Sequence, residues 1–535
     1  MKITIIGAGP GGYETAVEAA AKGIEVTLVS SGPVGGTCLN EGCIPTKALL
    51  RSAEVYETVK EAASFGVEAG ECRLDFAAAM ARKDAVVDQL RSGVEFLLKH
   101  KLITLLRGKA SLCVGDAAGT AGTAPGSSVV GTALGSGVVG TAPGSGVVGT
   151  ALGSSVLGTA PGSSVAGTAA GGEKAEDALG EDAGQAGEGL RAPHRVRVAL
   201  DEGGEVSVEA DYVIIATGSV AATLPIPGAN LPGVISSKEI LEMEALPKSV
   251  CVIGAGVIGL EMASMLNSFG CEVSVLEYCP DILPRFDTDL AKRLKQSLSK
   301  RGISIETSAQ VKSIEATQEG LVTSYVRKEK EASVTAEKVL MAVGRRPALG
   351  TLNFEEAGIA VTPKGVVVDA YMQTSVPGIY AIGDIAGGYM LAHTATAQGR
   401  RALNHILAGC PLEGPVDSIR LDIVPAAVFT RPEAATVGLT EDECKANGIP
   451  VKVLKSFFRA SGKAVAMGET DGFCKIVASE PDGRILGCHL FGPHSSDIIQ
   501  EVAALITMDA TLKDLESIIH AHPTLSEVIL SAARG

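Results

Sequence analysis

The sequence predicts an α/β fold with two Rossmann-like domains and a separate C-terminal α+β domain, and three observations carry that prediction. A strand, a glycine-rich turn, a helix and a second strand occur in that order at the start of the chain, and the same plan returns in its middle. The last hundred residues change character, with strand candidates at 474–478 and 485–490 followed by a helical 496–508. At roughly 100 to 200 residues per domain, 535 residues allow three or four domains.

The first unit opens with an apolar strand at 2–6, continues through GAGPGG at 7–12 into a helix ending at residue 21, and returns as a strand at 24–29. In this context GxGxxG lets backbone amides and a helix N-terminus approach a pyrophosphate, which makes Gly7, Gly9 and Gly12 candidate cofactor residues. The second unit repeats the plan with a strand at 250–253, GAGVIG at 254–259, a helix to 269 and a strand at 272–276, so Gly254, Gly256 and Gly259 are the matching candidates. Coincidental tight turns would not bring the same strand and helix twice. At the end of its second strand this unit carries Glu277, placed to bind a ribose 2′-hydroxyl and to repel a 2′-phosphate, which favours NAD over NADP. The first unit has Ser30 there, able to offer a ribose only a weaker, neutral hydrogen bond.

Between residues 114 and 193 the composition departs from globular sequence. The nonapeptide units GTAPGSSVV, GTALGSGVV, GTAPGSGVV, GTALGSSVL and GTAPGSSVA follow one another, and the segment holds 21 of the 65 glycines and no aromatic residue. A loosely repetitive surface insert is expected, with a small β-turn solenoid as the sharper alternative. Loop-closure cost grows by only about 0.6 kcal/mol per doubling of length, so such an insert can interrupt a domain without destroying it. Strand-like 102–106 before it, and 195–200 and 205–209 after it, read as one meander held apart.

Composition narrows the function. A formal net charge of -15 gives no basic field for phosphate neutralisation, which argues against a nucleic-acid partner. No run of 18 apolar residues marks a membrane span, and the N-terminal apolar run is too short for a signal peptide. Eleven cysteines are too dilute, and odd in number, for a secreted disulfide scaffold, so a cytoplasmic protein with mostly free thiols is expected.

Two of those cysteines, Cys38 and Cys43, stand five residues apart in GGTCLNEGCIPTK, in a loop passing into a helix whose dipole favours a thiolate. The spacing is not that of a zinc knuckle, and no second pair completes a tetrahedral site, so no metal is expected; buried structural thiols and a redox-active disulfide are the readings left. Near the C-terminus His522 and Glu527 stand five residues apart, a base and an orienting carboxylate, with a metal pair or a core contact formed by His520 and His522 as the alternatives.

The run GGTCLNEGCIPTKALL, the two GxGxxG units and the terminal HAHPTLSE resemble the FAD-dependent pyridine nucleotide-disulfide oxidoreductases, over all of the chain except the insert. The resemblance implies FAD on a domain formed by 1–113 and 194–223 and continued by 348–422, NAD on 224–347, and a dimerisation domain at 423–535. It implies that Thr217 and Gly218, Gly344 and Asp384 touch the nucleotides, that Cys38 and Cys43 form the redox disulfide, and that His522 is the base oriented by Glu527. It also implies that Lys47, one helical turn after Cys43, pairs with Glu261 beside the flavin, and that each tail reaches the dithiol of a partner subunit in a homodimer. The activity implied is oxidation of dihydrolipoyl groups, carried by proteins of 2-oxo acid dehydrogenase or glycine cleavage complexes, with reduction of NAD. Glutathione-type and mercuric reductases are the related alternatives: Glu277 speaks against the NADPH of the first, and the end AARG lacks the cysteine pair of the second. An adhesion protein using the body as a scaffold for the repeats is the alternative of another class.

Overall fold

The computed structural model describes residues 1–113 and 193–535, and the nonapeptide segment lies outside them. The N-terminal glycine unit sits in a seven-stranded sheet ordered Ile379–Ala381, Tyr212–Ile215, Lys2–Ile6, Glu25–Ser30, Ile103–Leu112, His194–Leu200, Glu205–Ala210. The first five strands run parallel and the last two are antiparallel, so 103–112, 194–200 and 205–210 form the meander that the insert interrupts. Parallel strands need cover on both faces, which explains why they read as apolar runs. Helices Pro10–Ala21 and Ala392–Leu407 cover one face over Ile3, Ile5, Leu28 and Ile214; the meander closes the other over Ile6, Val29, Val213 and Ile215. Each such side chain contributes about 1.5–3 kcal/mol when fully buried.

The second glycine unit lies in a parallel five-stranded sheet ordered Ser304–Glu306, Glu272–Leu276, Ser249–Ile253, Lys338–Met341, Val234–Ile235, accompanied by an antiparallel three-stranded meander over 310–336. Its helix Val257–Phe269 is apolar almost throughout and almost wholly buried, because one side faces this sheet and the other packs on helix Cys43–Glu61 of the first domain. The C-terminal part is an antiparallel sheet of five strands, Ala426–Val428, Ala434–Gly438, Ile485–Phe491, Phe473–Ser479 and Val451–Phe457, with helices Ser495–Thr507 and Glu527–Arg534 on its apolar face. No helix among the described residues is long and apolar enough to cross a membrane.

Candidate active site

Both glycine turns open on one cavity of about 2020 Å³, lined by Gly7, Gly9, Gly254, Gly256, Cys38 and Cys43 among others. Within each turn the three glycines have different tasks. A Cβ on Gly7 would sit 2.2 Å from the Ala216 carbonyl oxygen, and one on Gly12 would sit 1.9 Å from that of Gly7, so Gly7 brings the turn against the end of the neighbouring strand Tyr212–Ile215 and Gly12 brings the first helix down onto the turn. The middle glycine, Gly9, has nothing within 4 Å of that position and leaves its face clear for a pyrophosphate. The second turn repeats the pattern, with Gly254 2.4 Å from the Ala342 carbonyl oxygen, Gly259 2.1 Å from that of Gly254, and Gly256 open. Gly7 and Gly254 also hold φ at +111° and +106°, which side-chain-bearing residues rarely adopt.

These differences give a test. Gly12→Ala is expected to lower unfolding stability by about 1–3 kcal/mol, the usual cost of overpacking, whereas Gly9→Ala leaves stability within about 0.5 kcal/mol and weakens FAD binding. Urea unfolding of cofactor-free protein and FAD titration separate them; equal loss of stability in both variants would refute the division of roles.

The dithiol lies at the junction of two helices. The sequence places Cys38 in a loop; in the structure it sits inside a six-residue helix, Gly36–Glu41, with Cys43 opening the next one, Cys43–Glu61. A left-handed Gly35 starts the short helix, and the Asn40 side chain donates to the carbonyls of Val34 and Gly36, tying that turn together. No bond joins Cys38 to Cys43 here, so the geometry described is that of the dithiol form. The Cys38 thiol donates to Cys43, and this bond, helped by the Lys47 ammonium and opposed by burial, lowers the Cys43 pKa to about 7. Cys38, the donor of that bond and itself half-buried, is raised. The pair is therefore polarised, with the negative charge on Cys43.

Lys47 and Glu261 meet from two domains. Lys47 Nζ donates to the Glu261 carboxylate at 3.0 and 2.8 Å, and Glu261 is almost fully buried. One helical turn from Cys43 brings Lys47 to the dithiol, and the packing of Val257–Phe269 on the Cys43–Glu61 helix brings Glu261. Sequence reasoning missed a third member, Phe429. Its backbone N–H donates to Glu261 Oε1 at 3.0 Å, and its ring lies 4.3 Å beneath Lys47 Nζ. The only hint was an aromatic residue in a chain with few.

On the flavin side Thr217, Gly218, Ser30 and Asp384 all line the cavity. Thr217 Oγ1 is buried and finds no hydrogen-bond partner among the described residues, an acceptor and donor left for a ligand. The Ser219 hydroxyl donates to Asp384 Oδ2 and accepts from Arg345 Nε at 2.7 Å, while Arg345 Nη2 donates to the Ser219 carbonyl at 2.7 Å. Neither Ser219 nor Arg345 was singled out in the sequence, because the antiparallel pairing of Ser219–Ala221 with Arg345–Pro347 joins segments more than a hundred residues apart. The Ser30 hydroxyl donates to the Gly32 carbonyl at 2.8 Å, so toward a ribose it acts only as an acceptor. The open face of Gly9 and the Thr217 hydroxyl, unpartnered among the described residues, fit an FAD held in this cavity.

At the second turn Glu277 is buried and accepts from the N–H groups of Ala255 at 2.6 Å and Cys279 at 2.7 Å, which holds its carboxylate against the glycine turn at the cavity wall. Gly344, at φ +107°, lines the cavity opposite. These residues fit a dinucleotide with a free ribose 2′-hydroxyl.

His522 and Glu527 are joined to each other and not to the dithiol. Glu527 accepts from His522 Nδ1 at 2.9 Å and from the Thr524 N–H at 2.8 Å, and these bonds, Thr524 foremost, hold its carboxyl below the usual range. His522 is 79% exposed, and neither residue lines the cavity of its own chain. His520 has a separate partner, Glu501, at 2.8 Å.

Comparison with known proteins accords with this geometry. Residues 1–145 and 182–399 match the family Pyridine nucleotide-disulphide oxidoreductase, and residues 424–533 match its dimerisation domain. A dihydrolipoyl dehydrogenase of Bacillus subtilis (strain 168) is 37% identical, with 99% of this chain and 97% of that protein covered. The mitochondrial dihydrolipoyl dehydrogenase of Pisum sativum is 31% identical, with 99% and 90% covered. Among solved structures, the HOCl-induced flavoprotein disulfide reductase RclA from Escherichia coli superposes with a TM-score of 0.75 at 26% identity, covering 100% of this chain and 99% of that one. The dimerisation match supports a homodimer, the arrangement in which an exposed His522 could face a dithiol that is not its own. By family match over more than half its length and by these relatives, the chain is a member of the pyridine nucleotide-disulphide oxidoreductases.

Proposed function

We propose that the protein oxidises dihydrolipoyl groups to lipoyl groups and reduces NAD, using FAD and the Cys38–Cys43 disulfide. The observation that carries this reading is that one cavity holds the Cys38–Cys43 pair beside Lys47 and two glycine turns, the second of which leads to Glu277. The dihydrolipoyl dehydrogenase relatives align along nearly the whole chain. Their activity implies partners that carry lipoyl groups, namely proteins of 2-oxo acid or glycine cleavage complexes. Eleven cysteines, dilute and odd in number, suit a reducing compartment, the cytoplasm.

The chemistry of the chain's own residues runs as follows. His522 of a partner subunit takes the proton from one substrate thiol, and the thiolate attacks Cys38 Sγ; the Cys38–Cys43 bond breaks and Cys43 leaves as a thiolate. The second substrate thiol then attacks the mixed disulfide, closing the oxidised substrate ring and releasing Cys38, which ends protonated. The products are one substrate disulfide, one thiol, one thiolate and one proton held by His522, with the charge on the sulfur that the Lys47 ammonium favours. Lys47 stabilises the negative charge beside Cys43, and Glu261 with Phe429 fixes the lysine. Bound FAD supplies the two-electron relay between Cys43 and the nicotinamide.

The deciding experiment compares dihydrolipoamide plus NAD with glutathione disulfide plus NADPH. The first pair is expected to be favoured by at least about 10²-fold in kcat/KM, since a buried carboxylate meeting a 2′-phosphate opposes the second. Preference for glutathione disulfide with NADPH would overturn the assignment.

A further inference from the structure

The described residues contain a second concentration of charge that the reaction above does not use. Lys475 lies in the interior strand Phe473–Ser479 of the C-terminal sheet and is 2% exposed. A lysine at such a site is expensive unless its ammonium is paired. Its Nζ meets three carboxylates, Asp287 at 2.8 Å, Asp289 at 2.9 Å and Glu441 at 2.8 Å. Two of them belong to the dinucleotide domain. Asp287 is itself 1% exposed and caps helix Thr288–Lys300, accepting from the N–H groups of Asp289 and Leu290 through its other oxygen.

The sheet is built to receive these groups. Register pairs Lys455 with Lys475, Lys475 with His489, and His489 with Thr436, so one polar row crosses four strands while the apolar alternates face helices Ser495–Thr507 and Glu527–Arg534. His489 is fully buried, burial lowers its pKa, and it is hydrogen-bonded to Thr436 Oγ1 at 2.6 Å and to the Leu439 carbonyl at 3.2 Å. The charge reaching Asp287 and Asp289 therefore comes from Lys475, with Lys455 adding a second contact to Asp289 at 2.7 Å. Arg293, one helical turn further along, donates to Asp471 of the C-terminal part, so the helix is fastened at a second place.

What this fastening holds is the far wall of the second glycine turn. After Glu277 the chain runs through 279–286 along the cavity, where Cys279, Leu283, Pro284, Arg285 and Phe286 line it, and Asp287 follows at once. The Leu283 N–H donates to the Ala255 carbonyl at 3.0 Å, inside the glycine turn itself. Residues 279–286 run between the glycine turn on one side and the Lys475 ammonium on the other, without regular secondary structure. Burial of Ile282 and Leu283 in the core and the Ser308 N–H, which donates to the Cys279 carbonyl at 2.9 Å, hold the first part of the segment, and Asp287 anchors its end.

We propose that Lys475 is a positioning residue for the dinucleotide half of the reaction: by gathering Asp287, Asp289 and Glu441 it fixes the 279–286 wall against which NAD is bound. The inference rests on the NAD reading of the second glycine turn given above. Lys475 touches no reacting group, so its effect falls on nucleotide binding and leaves thiol exchange at Cys38 untouched.

The test uses the FAD-loaded full-length dimer. The wild type is assayed first with dihydrolipoamide and NAD; absence of turnover would overturn the functional reading by itself. Lys475→Met is then compared with Asp287→Asn, which keeps a capping oxygen but removes the charge, and with Lys475→Arg. For Met and Asn the NADH dissociation constant and KM for NAD are expected to rise on the order of tenfold, below the ~100-fold that a misplacement of about 1 Å can cost. The KM for dihydrolipoamide and the anaerobic rate at which it reduces the Cys38–Cys43 disulfide stay unchanged, hydrogen exchange over 279–286 accelerates, and Lys475→Arg restores much of the affinity. If Lys475→Met does not fold, Asp287→Asn decides the matter with the same readouts. Unchanged NADH affinity, or equal losses in both half-reactions, would overturn the proposal.

Discussion

Cys38→Ser is expected to reduce turnover of dihydrolipoamide with NAD by on the order of 10³-fold or more, because no other sulfur in the described cavity stands where the substrate thiolate can attack. Oxidation of NADH by a one-electron acceptor such as ferricyanide does not pass through the dithiol and should survive. The same variant leaves Cys43 as the remaining thiol of the pair, and its charge can be read by alkylation followed at that residue. A serine hydroxyl can still donate to Cys43, as the Cys38 thiol does here, so its reactivity should rise with pH through about 7. Since the shift is downward from an ordinary thiol, the thiolate is present above that pH and lost below it. Cys38→Ala removes the donor, and Lys47→Met removes the ammonium; each should move the alkylation profile to higher pH. A profile identical in all three variants would mean that neither group polarises the dithiol.

The contrast between Cys38 and His522 shows what a sequence can carry. Glycine spacing, flanking strand and helix, and the five-residue dithiol step are local, so both nucleotide turns and the helix that brings Lys47 after Cys43 could be read directly. The short helix around Cys38 could not, because it depends on a left-handed Gly35 and on Asn40 folding back on the turn. Contacts between distant segments were the larger gap. Phe429 under Lys47, and Arg345 with Ser219 on Asp384, arise from strand pairing and domain packing that no local pattern records. Lys475 did leave a trace: a lysine inside the strand FCKIVAS, whose neighbours on both faces are apolar, demands a buried partner. Its three carboxylates come from two segments far apart in the chain, so the demand was legible and its satisfaction was not.

His522→Gln is expected to lower dihydrolipoamide turnover by about 10²–10⁴-fold, the usual contribution of a general base, with a smaller loss for Glu527→Gln, which leaves the imidazole but weakens its orientation. The loss alone does not say where the base acts. Within one chain His522 is turned outward, joined to Glu527 and away from the cavity that holds Cys38. If each site takes its thiols from one subunit and its base from the other, two inactive proteins can repair each other. In a dimer of a Cys38→Ser chain with a His522→Gln chain, one site carries both lesions and the other carries none. Random pairing of equal amounts makes about half the dimers mixed, so about one site in four should work. Co-refolding or co-expression of the two variants should therefore restore about a quarter of wild-type turnover. If the base served its own chain, every site in the mixture would carry one lesion. Activity that stays at the level of the two parents would then place His522 with the dithiol of its own subunit and remove the shared site from the mechanism.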